Sequence, residues 1–83
     1  MVHGRVQGVS FRYYARQAAG RLGVAGWVRN RPDGAVALHV EGEVDAVERF
    51  VEWCQQGPPA AVVRRVDETP TIPSGLTRFE IRR

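Results

Sequence analysis

Gly4-Arg5-Val6-Gln7-Gly8-Val9-Ser10-Phe11-Arg12 is the stretch where a short apolar start breaks into a glycine-flanked loop and then into an aromatic- and alanine-rich helical pattern. Gly4 and Gly8 bracket the loop, a spacing that lets the backbone curl with successive peptide N–H groups turned inward, as in an anion-binding nest at a helix N-terminus. Arg12 falls in the first turn of the helix that follows, where a cation faces the positive end of the macrodipole at a cost of roughly 0.3–1 kcal/mol. A bound anion would reverse that cost. On spacing alone the loop also suits an ordinary strand-to-helix turn. A nucleotide P-loop is excluded, because that motif needs four residues between its glycines and then Lys and Ser/Thr, whereas Val9-Ser10 follow here and the chain has no lysine.

Outward from the loop, Phe11, Tyr14, Ala15, Ala18, Ala19 and Leu22 recur at helical spacing, with Arg16, Gln17 and Arg21 on the other face. Ser10 is the candidate N-cap, and Gly20 or Gly23 the stop. Val24 to Arg31 and Ala35 to Glu41 read as strands joined by the turn Pro32-Asp33-Gly34, with Val36, Leu38 and Val40 alternating with Ala37, His39 and Glu41. A second amphipathic helix places Val44, Val47, Phe50, Val51 and Cys54 on one stripe, has Glu43 and Asp45 near its start, and ends at Gly57-Pro58-Pro59. Val62 to Glu68 alternates as a strand, and so does the segment around Phe79 and Ile81. Thr69 to Thr77 is the loop between them. The order β-α-β-β-α-β with a short extra C-terminal strand predicts an α+β, ferredoxin-like sandwich: a mostly antiparallel sheet with two helices on one face. A right-handed crossover makes the first two strands parallel, with the third inserted between them. The loop and Asn30 then share one edge of the sheet, about 10 Å apart.

The same residues carry a family resemblance. Gly4 to Arg12, followed later by Gly26-Trp27-Val28-Arg29-Asn30, resembles the two signatures of the acylphosphatase family, and the likeness runs on through Pro32-Asp33-Gly34 and Gly57-Pro58-Pro59. In that family the loop N–H groups and the motif arginine hold the phosphate and the asparagine orients the attacking water. The resemblance therefore implies phosphate binding by Arg5, Val6, Gln7, Gly8, Val9 and Arg12, with Arg12 and Asn30 as the catalytic pair. It implies hydrolysis of small acyl phosphates, inorganic phosphate or sulfate as product or inhibitor, and no cofactor. It also implies several residues ahead of the loop, so Met1 to His3 are expected to form a shortened first strand. Within the resemblance stands the related module of larger carbamoyl-transferring maturation proteins, and the short chain favours the free-standing enzyme.

Composition bounds the rest. Residues 1–83 make one small domain, which buries about 60% of its unfolded surface. No apolar run approaches the roughly 18 residues of a membrane span, and the start of the chain does not read as a signal peptide. One cysteine, Cys54, makes no internal disulfide and no metal site by itself, and it fits a reducing cytoplasm. The net charge of +3 comes from arginines scattered over the chain, a weak preference for anionic partners. A monomer is expected, with neither membrane nor nucleic acid as partner.

No Ser/His/Asp set, metal cluster, Cys/His pair or placed carboxylate pair is present. His3 reads as a solvated strand end, His39 as a surface residue, and Glu48 and Glu52 as a solvated helix face. Trp27 reads as packing. The rival from another class is a non-catalytic phosphate- or RNA-binding module on the same fold. RNA recognition there needs aromatic residues on the inner strands, and Ala35 to Glu41 offers only His39.

Overall fold

The computed structural model describes residues 1–83. The chain runs β1 (Val2–Arg5), α1 (Phe11–Leu22), β2 (Ala25–Asn30), β3 (Val36–Glu41), α2 (Val44–Gln56), β4 (Val62–Val66) and β5 (Phe79–Arg82). The strands form one sheet in the order β4-β1-β3-β2-β5. β3 lies between β1 and β2 and is antiparallel to both, so those two are parallel, as the crossover argument requires. β5 takes the free edge of β2 as its parallel neighbour, and β4 closes the other edge against β1.

One face of the sheet carries both helices. Val2, Val28, Val36 and Phe79 rise from it to meet Phe11, Ala15, Ala18 and Ala19 of α1 and Phe50 and Cys54 of α2. The alanines matter because their small side chains let α1 settle close against its neighbours, while the aromatic volume comes from a chain of rings. Phe11 packs on Trp53 at 5.3 Å, Trp53 on Phe50 at 6.0 Å, and Phe50 on Phe79 at 5.4 Å. This chain ties α1 to α2 and α2 to β5. Cys54 packs as a small hydrophobe, and burial pushes its thiol pKa up to about 12.

Several sequence expectations need adjustment. Tyr14 was expected on the apolar stripe of α1, but it remains 40% exposed with its ring edge against Tyr13. The neighbouring alanines already fill the space under the sheet. Val44, expected on the stripe of α2, sits at the first position of that helix and is 72% exposed. Of the two candidate stops, Gly20 lies inside α1 and Gly23 ends the helix, its N–H bonded to the carbonyl of Ala19. In β4 the strict alternation fails: Val63 and Val66 both pack on the core.

The cause of that failure is a register shift. His3 faces Arg65 but Gly4 faces Val63, so Arg64 is the extra residue and the strand changes parity there. Gly4 belongs to this irregularity. It lies inside β1 at φ 134°, and a Cβ on it would stand 2.1 Å from the Val62 carbonyl oxygen. Its need for glycine thus comes from close strand pairing and not from curling of the loop. β1 accordingly reaches Arg5, deeper into the motif than the expected end at His3.

The sheet face opposite the helices is polar. Trp27 stacks on His39 at 6.1 Å, with the guanidinium carbons of Arg29 and Arg82 at 5.7 and 5.2 Å from its ring centre. His39 is more shielded than a surface histidine: its side chain is 12% exposed, and its Nε2 pairs with the Glu41 carboxylate at 2.6 Å. Glu41 also accepts the backbone N–H groups of Ser74, Gly75 and Leu76. The long β4–β5 loop is thereby fastened to β3. His39 and those N–H groups hold the Glu41 carboxyl down to about 2, against partial desolvation.

Candidate active site

The chain leaves β1 after Arg5 and enters α1 at Phe11 through a loop whose last residue, Ser10, adopts the left-handed conformation (φ 60°, ψ 28°). Ser10 stands at the expected N-cap position. It makes no side-chain cap, however, because that backbone is not the extended one from which a cap oxygen reaches the next turn. Gly8 is left-handed as well, at φ 74°. A left-handed non-glycine residue two positions after a left-handed glycine is an unusual backbone, of the kind that collects at binding sites. The backbone N–H groups of Val6 through Ser10 appear as donors in none of the loop hydrogen bonds of the chain. They lie at the positive end of α1.

Val6, Gly8, Ser10, Phe11, Arg12, Tyr13, Asn30 and Ile81 line one cleft of about 380 Å³. Four of the expected residues, Val6, Gly8, Arg12 and Asn30, therefore open onto a common space although Asn30 is on another strand. Arg5 lies apart. It is the last residue of β1, paired with Val62, and its side chain is exposed. Val9 turns toward the core. Gln7 points at the β2–β3 hairpin, where its Nε2 donates to the carbonyls of Arg31 at 2.7 Å and Ala35 at 2.9 Å.

Arg12 has no carboxylate within ion-pairing distance, and α1 has no acidic residue in its first turn. Its guanidinium is held instead by a neutral group, the carbonyl of Arg82 on β5, at 3.3 Å. Its positive charge is thus oriented without being neutralised. A second cation or an anion nearby would be felt strongly in a half-sheltered cleft.

Four lining residues carry no site assignment from the sequence: Ser10, Phe11, Tyr13 and Ile81. The sequence marks Ser10 only as a cap and Phe11 only as the start of the apolar stripe of α1. Tyr13 is 47% exposed, with its hydroxyl accepting from Gln17 at 2.9 Å. Ile81 carried no local signal at all, since only the parallel pairing of β5 with β2 brings it to the cleft.

The other titratable candidates lie elsewhere. His3 pairs with Asp67 at 3.1 Å, and His39 with Glu41 at the far end of the β2–β3 ladder. Glu48 and Glu52 are exposed on α2. A larger cleft of about 720 Å³ lies beyond the C-terminal end of α1, bounded by Gly20, Gly23, Leu76 and Arg78. It contains none of the candidate residues, and Glu41 on its wall is already occupied by the β4–β5 loop.

A family model described as acylphosphatase matches residues 1–81. A Nocardioides protein named acylphosphatase is 60% identical over 81 residues, covering 98% of this chain and 82% of its own length. A Gloeobacter violaceus protein of the same name is 56% identical over 82 residues, covering 99% of this chain and 88% of its own length. Among solved structures, the acylphosphatase from Bacillus subtilis superposes with a TM-score of 0.94 at 41% identity, covering 99% of this chain and 92% of that one.

Proposed function

The chain belongs to the acylphosphatase family of enzymes, and from that membership we propose that it hydrolyses acyl phosphates to a carboxylate and inorganic phosphate. In this reading the N–H groups of Val6, Gln7, Gly8 and Val9 cradle the phosphoryl oxygens, and Arg5, at the end of β1, leads the chain into that loop. Arg12 clamps two of those oxygens with its planar fork, and Asn30 holds a water in line with the bond to be broken. The observation that carries it is the single cleft shared by Val6, Gly8, Arg12 and Asn30, with Arg12 free of any carboxylate.

The chemistry suits those residues. The water oxygen forms a bond to phosphorus as the bond between phosphorus and the acyl oxygen breaks, and the carboxylate departs with the electron pair. Its conjugate acid has a pKa near 4, so no general acid is required at the leaving group. The water proton passes to a phosphoryl oxygen of the substrate. Charge on the equatorial oxygens is met by donors already in place, and positioning supplies the remainder. No covalent intermediate is involved.

The same reading makes the protein a metal-independent monomer of the cytoplasm that inorganic phosphate or sulfate inhibits competitively. Its test is hydrolysis of benzoyl phosphate in excess chelator. Turnover that survives supports it, and activity that vanishes and returns only with a divalent ion overturns it. The module reading, phosphate or RNA binding without turnover, predicts no hydrolysis in the same assay. No helix is long and apolar enough to cross a membrane.

A further inference from the structure

We propose that the Gln7 side chain is a positioning residue that sets the distance and angle between the phosphate cradle and Asn30, an inference that rests on the hydrolytic reading above. The two halves of the site sit on different elements, and no other hydrogen bond joins the loop to the β2–β3 hairpin. Both amide hydrogens of Gln7 are used. One goes to the carbonyl of Arg31 at 2.7 Å, the other to that of Ala35 at 2.9 Å.

Those two carbonyls form the neck of the hairpin turn, and the turn is rigid in its own right. The Arg31 N–H donates to the Ala35 carbonyl at 2.9 Å and the Gly34 N–H to the Arg31 carbonyl at 3.2 Å. The Asp33 carboxylate accepts the Ala35 N–H at 3.0 Å and pairs with Arg31 at 3.3 Å. Arg31 directly follows Asn30. A clamp on the neck therefore fixes the peptide beside the asparagine, and the cradle moves with it.

Two acceptors side by side demand a group with two donors, and only the NH₂ of an amide offers that at this length without a charge. Gln7 is half-buried, so an unpaired carbonyl left there would not be fully rescued by water. For an in-line attack a misplacement of about 1 Å is enough to cost roughly 100-fold in rate. The amide acts on the rate through Asn30 and touches neither the phosphoryl group nor the water.

The experiment is a double-mutant cycle on the full chain with benzoyl phosphate as substrate and inorganic phosphate as inhibitor. Gln7→Met, close in shape and without donors, should lower kcat roughly 10- to 100-fold while phosphate inhibition stays within about threefold of wild type. In the Asn30→Ala background the same change should cost nothing further, because the group it positions is gone. A loss that multiplies fully on top of Asn30→Ala, or an unchanged kcat in Gln7→Met, overturns the proposal. Gln7→Glu keeps it testable if Gln7→Met fails to fold: a protonated carboxyl can donate one of the two bonds, so its activity relative to wild type should rise as pH falls, and a flat ratio counts against the clamp. If wild type itself does not hydrolyse benzoyl phosphate, the hydrolytic reading fails and this inference with it. If wild type turns over and Asn30→Ala is slow, a multiplicative Gln7 effect sinks this inference alone.

Discussion

Asn30 stands directly across the β2–β3 ladder from Val36, and Val36 is also the residue through which β3 meets Val2 of β1. Val36 has no exposed surface. The backbone under Asn30 is therefore pinned by the centre of the core, while its side chain reaches the cleft at the end of the strand.

Asn30→Ala should leave the fold intact and act on turnover. Loss of one positioning contact of this kind costs on the order of 3 kcal/mol, or about a hundredfold in kcat. Phosphate inhibition should change little, since the cradle and Arg12 remain. Steady-state kinetics with a thermal melt check this, and a folded variant with wild-type kcat would remove the water-positioning role.

Arg12→Ala should weaken phosphate inhibition and slow turnover together, because in the proposed reading the guanidinium meets the anion in the ground state as well as in the transition state. Arg12→Lys should not restore either. A point charge cannot keep the fork on two phosphoryl oxygens while a carbonyl such as that of Arg82 steadies it. Inhibition constants for phosphate across the three proteins decide the matter.

Glu41 gives the fold an acid limit. Its carboxyl titrates at about 2 in the fold against 4.5 ordinarily, so the unfolded chain takes up the proton more readily. The stabilisation is fully present above about 4.5 and is lost as pH falls toward about 2. Glu41→Gln should lower the melting temperature at neutral pH and flatten the acid slope of stability. Activity at neutral pH should persist in the folded variant, because Glu41 and Asn30 lie at opposite ends of a ladder about 17 Å long. Melting temperatures from pH 2 to 7 test both halves.

Gly4→Ala should be among the most damaging substitutions of a small residue in the chain. A Cβ there meets the Val62 carbonyl oxygen at 2.1 Å and the Arg64 nitrogen at 2.9 Å, on a backbone at φ 134°. Strain and overpacking together come to roughly 2–5 kcal/mol, a large part of the stability of a domain this size. Denaturant melts measure it, and a variant as stable as wild type would show that the β1–β4 pairing can give way.

The element order and the helix-bearing face were legible because periodicity reports them directly. Val36, Leu38 and Val40 alternate, and Phe11, Ala15, Ala18 and Ala19 recur at helical spacing. The pairing of Arg12 with Asn30 across one cleft was likewise readable, by way of the family signatures and the crossover rule. What stayed hidden depends on partners distant in sequence. The parity change at Arg64 exists only in the register with His3 and Gly4, and Tyr14 is exposed because alanines elsewhere on α1 already fill the core. The resemblance marks Gln7 only as part of the phosphate loop, since the two acceptors of its side chain, the carbonyls of Arg31 and Ala35, flank a turn far along the chain. Ile81 enters the cleft through a strand pairing that no local pattern announces.

The hydrogen bond from Arg12 to the carbonyl of Arg82 joins the first helix of the fold to its last strand. During synthesis the cradle, α1 and the β2–β3 hairpin emerge first, yet the arginine lacks its anchor until β5 has been made and has docked beside β2. Contacts of such long sequence separation form late and slowly. On the proposed role of Arg12, turnover therefore requires β5 in place, and a nascent or frayed molecule that already looks folded by helix content should still be silent.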